Sequence, residues 1–135
     1  MKQWKTIPTN MLLNEGYPVY GANGVIGYYS DFNHEKPTLL VTCRGATCGS
    51  TNITFGKCWV NGNALAIDEL NKYIDVFFLK YYIDSIDMRK SKIISGTAQP
   101  QITQNNISKL RIPVPSLNEQ KRIVVTLKEI YKILK

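Results

Sequence analysis

Long apolar runs, histidine and paired cysteines are what this 135-residue sequence has least of. No hydrophobic stretch approaches the length that crosses a bilayer. The opening Met1-Lys2-Gln3-Trp4-Lys5-Thr6 also lacks the apolar segment of a secretory signal. A soluble cytoplasmic protein with no membrane partner is the expectation. Three cysteines, Cys43, Cys48 and Cys58, are an odd number in a chain without such a signal, which argues for reduced thiols. Their gaps fit none of the C-x-x-C patterns that bring zinc ligands together on a tight turn, and His34 is the one histidine. Buried or edge thiols in strands are the better reading. Acidic residues are short as well, 10 against 17 Lys and Arg, leaving a net charge of +7 and a pI near 9.4. That surplus suits a polyanionic partner.

The common catalytic signatures are missing too. The glycines of Gly21 to Gly27 run G-x-x-G-x-x-G, and the residues that follow do not open a helix, so no cofactor phosphate would be cradled there. No Asn/Asp-Pro-Pro-aromatic string of a base methyltransferase occurs. Glu119-Gln120-Lys121 matches part of a nuclease pattern by letter, but Glu119 stands at a helix start, where it has a capping role. No Ser or Cys sits in a nucleophile elbow, and His34 reads as a loop residue rather than a general base. The expectation is a non-enzyme without cofactor or metal.

What is present is a composition of a folded domain, 44% hydrophobic with eight tyrosines, in a chain long enough to bury one core. Residues 16 to 67 are dense in glycine and β-formers. Val25 to Tyr29, Thr38 to Cys43, Thr51 to Phe55 and Cys58 to Val60 read as short strands divided by glycine turns. The period then changes. Leu70, Ile74, Phe77, Phe78, Tyr81 and Tyr82 recur at helical spacing after Asp68, a plausible N-cap, which predicts an amphipathic helix over 69–84 with an aromatic inner face. Short strands are expected at Lys92 to Ile94 and near Leu110 to Ile112. Pro113 and Pro115 hold Ile112 and Val114 extended, and Ser116 with Glu119 has capping-box spacing, so a last helix starts at Ser116. Along it Leu117, Val124, Leu127, Tyr131 and Leu134 form a heptad seam, broken at Gln120. Fewer than three heptads are marginal alone, so the helix must pack on the domain, on a partner, or continue in a longer protein.

Several basic groups flank the turns of the strand-rich part. Lys36, Arg44 and Lys57 stand there, and Arg89, Lys90 and Lys92 cluster after the first helix. Such side chains neutralise phosphates, although each could equally be solvated surface charge. Gln99 and Gln101 flank Pro100. An amide there could bond adenine bidentately, but a turn that braces the helix is the favoured reading.

Five strings, in order, resemble the target recognition domain of type I restriction-modification specificity subunits. They are Gly16-Tyr17-Pro18-Val19-Tyr20-Gly21-Ala22-Asn23-Gly24-Val25-Ile26-Gly27-Tyr28, the segment Leu39 to Gly49, Trp59 to Leu65, Gly96-Thr97-Ala98-Gln99-Pro100-Gln101-Ile102, and Ile112-Pro113-Val114-Pro115-Ser116-Leu117-Asn118-Glu119-Gln120-Lys121-Arg122-Ile123. The resemblance implies an α+β fold: a strand-rich body like an irregular double β-helix, an amphipathic helix and a C-terminal helix. It implies one recognition domain over 1–135, with 116–135 the start of the spacer and dimerisation helix. The implied partners are double-stranded DNA, adenine methyltransferase subunits and a restriction subunit, with a homodimer possible through the last helix. Family members with different targets share the Gly-Gln-Pro and Ile-Pro-x-Pro strings, so base reading should lie instead within Tyr28 to Lys36, Thr51 to Lys57 and Ile86 to Lys92. Thr51, Asn52 and Thr54 supply hydrogen-bonding groups in the second of these. A single recognition domain and a short last helix leave open a half-subunit, a swappable cassette, a remnant or a fragment. Two other readings stand beside it: the recognition part of a fused restriction-methyltransferase enzyme, and a structural module whose basic face binds an acidic protein.

Overall fold

The structure, a computed structural model, describes residues 3–45, 47–86, 88, 94–95 and 101–134. After a 3-10 turn at Thr9–Met11 come β1 (Tyr17–Gly21), β2 (Gly24–Tyr29), β3 (Leu39–Thr42), β4 (Thr51–Ile53), β5 (Trp59–Val60) and β6 (Ala64–Ile67). Then follow α1 (Val76–Asp84), β7 (Ile94–Ser95), β8 (Gln101–Ile102), α2 (Gln104–Ile107) and α3 (Leu117–Leu134). One sheet has the order β2-β1-β5, a second β4-β3-β6, and β7-β8 is a separate pair. The chain thus lays two strands in the first sheet and two in the second, then returns to each for one more. This back-and-forth winding is the irregular double-β-helix character that the sequence suggested.

Strand β3 explains why the two sheets stack. Side chains alternate across a strand, so a run of apolar residues can only be buried if both faces are covered. Leu39 and Val41 enter a cluster with Ile53, Leu65, Leu79 and Ile83, while Leu40 packs with Cys58, Val60, Ala64 and Ala66 on the opposite face. Strand β6 divides its side chains the same way. The Thr42 hydroxyl donates to the Ala22 carbonyl at 2.7 Å, tying β3 to the β1–β2 turn. That turn is a two-residue hairpin, and Gly24, at φ +124, takes the backbone conformation that a side chain would oppose.

Strand β1, which holds Pro18, was not among the strands expected from the sequence. The proline is tolerated because β5 pairs only with Val19 and Tyr20, so no hydrogen from residue 18 is called for on that side. Strand β6 and helix α2 were also not anticipated. Leu110 to Ile112 is not a strand; Leu110 and Ile112 pack as an extended segment against the larger core. Of the expected strand from Lys92 to Ile94, residues 92 and 93 lie outside the described residues, and Ile94 opens β7.

The first helix starts seven residues later than the apolar spacing suggests. Asp75, not Asp68, caps it, accepting from the amides of Phe77 and Phe78 at 2.9 and 3.0 Å. Asp68 is engaged elsewhere, as described below. Leu70 and Ile74 still pack on the core, from a turn rather than a helix. The helix buries Phe78, Leu79 and Ile83, and turns Phe77 and Tyr81 towards α3: Tyr81 stacks on Tyr131 at 5.7 Å, and Lys128 lies 4.4 Å from the Phe77 ring centroid.

Gln120 settles how α3 sits. It is completely buried, and its amide closes three backbone groups. The Asp75 N–H donates to Gln120 Oε1 at 2.7 Å, and Gln120 Nε2 donates to the Tyr73 and Pro115 carbonyls at 2.7 and 2.8 Å. Ser116 caps the helix, its hydroxyl accepting from the Glu119 N–H at 3.2 Å. The Glu119 carboxylate turns to Arg122 Nε at 3.1 Å. Replacing Gln120 with Leu should keep the volume but leave the three backbone groups without partners. The expected loss is about 3 kcal/mol, as each orphaned buried group costs roughly 1–3 kcal/mol before relaxation. Urea unfolding of the Gln120→Leu protein measures it; an unchanged midpoint would deny the amide its role.

Candidate nucleic-acid interface

Because β3 and β4 run antiparallel, with Leu39 opposite Ile53 and Val41 opposite Thr51, the turn residues divide between two ends of the second sheet. Lys36 and Lys57 lie at one end. Arg44 and Thr51 lie at the other, several residues away at about 3.4 Å each.

At the first end, Lys57 stands over the Phe32 ring, 5.0 Å from its centroid, and 3.8 Å from Glu35. Both charged side chains are more than half exposed, so water screens the pair and it adds little stability. Lys36 is exposed on the lip of a groove of about 630 Å³ that also holds Glu35, Asp68 and Glu69. Its floor is a buried polar lock. The Asn33 amide is oriented by Val60, whose N–H donates to Oδ1 at 2.8 Å and whose carbonyl accepts from Nδ2 at 3.2 Å. That leaves Asn33 Oδ1 facing His34 Nδ1 at 2.6 Å, while Asp68 Oδ1 faces His34 Nε2 at 2.7 Å. Both ring nitrogens are thus engaged by side-chain oxygens, which fixes the orientation of the ring. Trp4 completes the lock, its Nε1–H donating to Asp68 Oδ2 at 3.0 Å and its ring meeting the imidazole edge-on at 4.9 Å. His34 is therefore a buried structural residue rather than a surface loop histidine, and this accounts for Asp68 not capping α1.

At the second end, Thr51 and Asn52 point to opposite faces of β4. The Thr51 hydroxyl donates to Asp84 and accepts from Lys80 Nζ at 3.1 Å, and Lys80 also pairs with Asp84 at 2.7 Å. Asn52 lies across the sheet beside the β1–β2 turn, its Nδ2 within 3.7 Å of the space over Gly24. The structure does not bring these two expected base readers together. Lys80 and Asp84, which it does bring to Thr51, were not singled out in the sequence; their i,i+4 spacing on α1 was the available signal. Thr54 is a correction. It is completely buried, and its hydroxyl accepts from the Thr38 N–H at 3.1 Å, so it has no surface to offer DNA. Arg44 is exposed, and among the described residues no carboxylate pairs with it. Arg89, Lys90, Lys92 and Gln99 lie outside the described residues.

The cysteines pack as small apolar groups. Cys43 and Cys58 are buried, and burial pushes the Cys58 thiol up from its ordinary value against a smaller opposing effect of the Thr54 hydroxyl. On α3, Arg122 holds the Glu119 carboxyl below its usual range. The heptad seam divides. Val124 is buried on the domain, Leu127 is half-buried and Tyr131 stacks on α1, while Leu117 and Leu134 remain exposed. Past Tyr131 the helix offers Ile133 and Leu134, 81% and 75% exposed. No helix among the described residues is long and apolar enough to cross a membrane.

Comparison with known proteins places this geometry among relatives. The family described as Type I restriction modification DNA specificity domain matches residues 2–135. The chain is 25% identical over 104 residues to the specificity subunit of the Escherichia coli type I restriction enzyme EcoprrI, covering 77% of this chain and 25% of that protein. It is 24% identical over 123 residues to a putative type I specificity subunit of Haemophilus influenzae, 89% of this chain and 31% of that one. It therefore spans less than a third of the length of these curated relatives. Among solved structures, the S subunit of the M. genitalium type I restriction-modification system superposes with a TM-score of 0.72 at 23% identity, over 97% of this chain and 36% of that one. The HsdS subunit of Thermoanaerobacter tengcongensis does so with a TM-score of 0.68.

The polar lock and the exposed pair nearby should respond differently to mutation. Asp68→Ala removes the acceptor of both His34 and Trp4, and should cost about 1–3 kcal/mol in a urea titration. Glu35→Ala, which takes only an exposed partner from Lys57, should change stability by less than about 0.5 kcal/mol. Equal losses would mean that the His34 contacts are not stabilising.

Proposed function

The chain belongs to the type I restriction-modification DNA specificity domain family, and from that membership we propose that it is a DNA-reading module without catalytic activity of its own. In this reading it recognises one half of a split target and directs adenine methyltransferase and restriction subunits to it. The match over residues 2–135 carries the proposal, and the fold shared with specificity subunits supports it. The +7 net charge suits a duplex.

Sequence would be read from the surfaces around Thr51 and Asn52 and from the segment that holds Lys36, while the basic groups Lys36, Arg44, Lys57, Arg89, Lys90 and Lys92 would meet phosphates. Thr51 is presented together with Lys80 and Asp84, so a donor and an acceptor reach the same spot, a combination suited to base edges. Asn52, on the other face of the strand, would meet a different part of the duplex. The lone domain should bind duplex DNA weakly and mainly through phosphates, with the logarithm of affinity falling against that of salt by roughly 0.9 per phosphate contacted. Asn52→Ala or Thr51→Ala should alter preference between sequences, by about 1–3 kcal/mol where a bidentate contact is lost. Lys90→Ala or Lys92→Ala should instead weaken every sequence alike. Fluorescence anisotropy on random and selected duplexes at several salt concentrations reads both. Binding that ignores salt, or none even beside a methyltransferase partner, would refute the DNA reading and favour a module that binds an acidic protein.

The C-terminal helix is the proposed contact to a second subunit, whether another copy or a methyltransferase. Val124 and Gln120 are used up within the domain, and the exposed apolar residues of the helix, Leu117 and Val125 apart, gather in the last turns as Ile130, Ile133 and Leu134 beside Tyr131. Changing Ile130 and Leu134 together to Asp should leave the domain folded and abolish association in sedimentation velocity. A parent protein that is monomeric and captures no methyltransferase would remove the helix from this role.

A further inference from the structure

Three cavities among the described residues differ in charge. The groove beside His34 carries Glu35, Asp68 and Glu69 against Lys36 alone, and the cavity under Cys48 and Met88 carries Asp84. A third, of about 380 Å³, is lined by Gln3, Thr6, Ala22, Cys43, Arg44, Gly62 and Asn63, with one cation and no carboxylate. From this we propose that the Arg44 notch is a phosphodiester-binding site, holding one backbone phosphate of the bound duplex through Arg44, Asn63 and Thr6. The inference rests on the DNA-reading function proposed above and adds to it a specific anchoring point.

The chemistry follows from which donors are already committed. Gln3 is a wall: its Nε2 donates to the Gly62 carbonyl at 2.9 Å and to Cys43 Sγ at 3.4 Å. Thr6 Oγ1 accepts from the Gly62 N–H at 3.1 Å, which leaves its own hydrogen for a ligand. The Arg44 guanidinium and the Asn63 amide are exposed and make no side-chain hydrogen bond among the described residues. A guanidinium presents its donors as a planar fork that matches two phosphate oxygens, and an amide and a hydroxyl beside it can serve a third.

The walls are held before any ligand arrives. Gly62 lies so close to the N-terminal segment that an added Cβ would stand 2.4 Å from the Trp4 carbonyl oxygen. Asn61 clamps the same segment by accepting from the Ile7 N–H at 2.8 Å and donating to the Ile7 carbonyl at 3.3 Å. The Cys43 thiol donates to the Asn63 carbonyl at 3.4 Å, and Thr42 fixes the β1–β2 turn on the remaining side. Four chain segments that are distant in sequence therefore converge on a fixed opening, which spares a phosphate contact the cost of ordering them.

The test compares two substitutions that remove one positive charge each. Arg44→Gln alters the notch, whereas Lys72→Gln takes a charge from the side chain lying over Tyr73. Binding of the full chain to mixed-sequence duplex DNA is measured from about 50 to 200 mM salt, with titrations of ¹⁵N-labelled protein following the side-chain signals of Arg44 Nε and Asn63 Nδ2. Arg44→Gln should weaken binding roughly tenfold at the lowest salt, equally for all sequences, and flatten the log–log slope by about 0.9. Lys72→Gln should have a clearly smaller effect, and Asn63→Ala should weaken binding without changing the slope. In the parent protein both side-chain signals should move on adding DNA. If the parent binds with a salt slope but Arg44→Gln matches it or merely equals Lys72→Gln, the notch is refuted and the DNA-reading function stands. Signals that stay still while binding proceeds refute it equally. If the parent binds no duplex, both fall together.

Discussion

Two-sided burial of β3 is the constraint from which the rest of the architecture follows. A four-residue strand with Leu39, Leu40 and Val41 in sequence cannot leave either face to water without exposing a large aliphatic side chain. One face is closed by α1 and its neighbours, the other by the segment that presents Cys58 and Val60, with Ala64 and Ala66 beside Leu40 in the same sheet. Covering the second face brings the chain from β4 into the other sheet at β5, and β6 then returns to pair along the edge of β3. The loops made by those returns gather at the ends of β3. The surface groups that could meet a nucleic acid are therefore a by-product of covering one strand twice.

A second constraint is polar. Gln120 interrupts an otherwise apolar stripe on α3, and in a free coiled coil an uncharged polar residue there would weaken the seam. Here it substitutes for water at the N-terminal side of α1, where the Asp75 N–H and the Tyr73 and Pro115 carbonyls would otherwise be buried without partners. The bonds fix both the position of α3 along α1 and its rotation, because an amide reaches three backbone groups in only one orientation. Val124, one turn on, is then committed to the domain, and the most exposed apolar residues of the helix, Ile133 and Leu134, fall in its last turn. An interruption that reads as a flaw in a heptad is the feature that aims the helix.

Much of the fold was legible where the signal is local. The glycine turn at Gly21 to Gly24, the capped start at Ser116 and the strand cores at Leu39 and Thr51 depend on neighbours in sequence, and they stand where the pattern put them, within a residue or two. The misses come from partners distant in sequence. Asp68 has every mark of an N-cap until His34 and Trp4, 34 and 64 residues away, claim its two oxygens. Thr54 has a donor and an acceptor suited to a base, but strand pairing folds it inward against Thr38. Strand β1 was missed, and its Pro18 is harmless because β5 pairs only from Val19 onward. In the candidate interface, basic residues could be picked out by charge, yet charge does not say which of them keep company with carboxylates. Lys57 has Glu35 and Lys80 has Asp84, whereas Arg44 has neither.

That pairing bears on how affinity and selectivity could be divided within one small domain. A cation already matched to a carboxylate gains less from a phosphate, since it must give up or share a partner, but it is held in a defined direction beside that partner's oxygens. Lys80 with Asp84 and Thr51 is such a set, rich in direction and poor in net charge, which is what discrimination between base edges requires. Arg44 is the opposite case, a cation with no carboxylate partner among the described residues and set in a fixed frame, which is what a sequence-independent anchor requires. The antiparallel pairing of β3 and β4 brings Arg44 and Thr51 to the same end of the sheet, on separate side chains. In the proposed reading, a substitution would change what is read at Thr51 without loosening the grip at Arg44, and the two properties would vary independently on one scaffold.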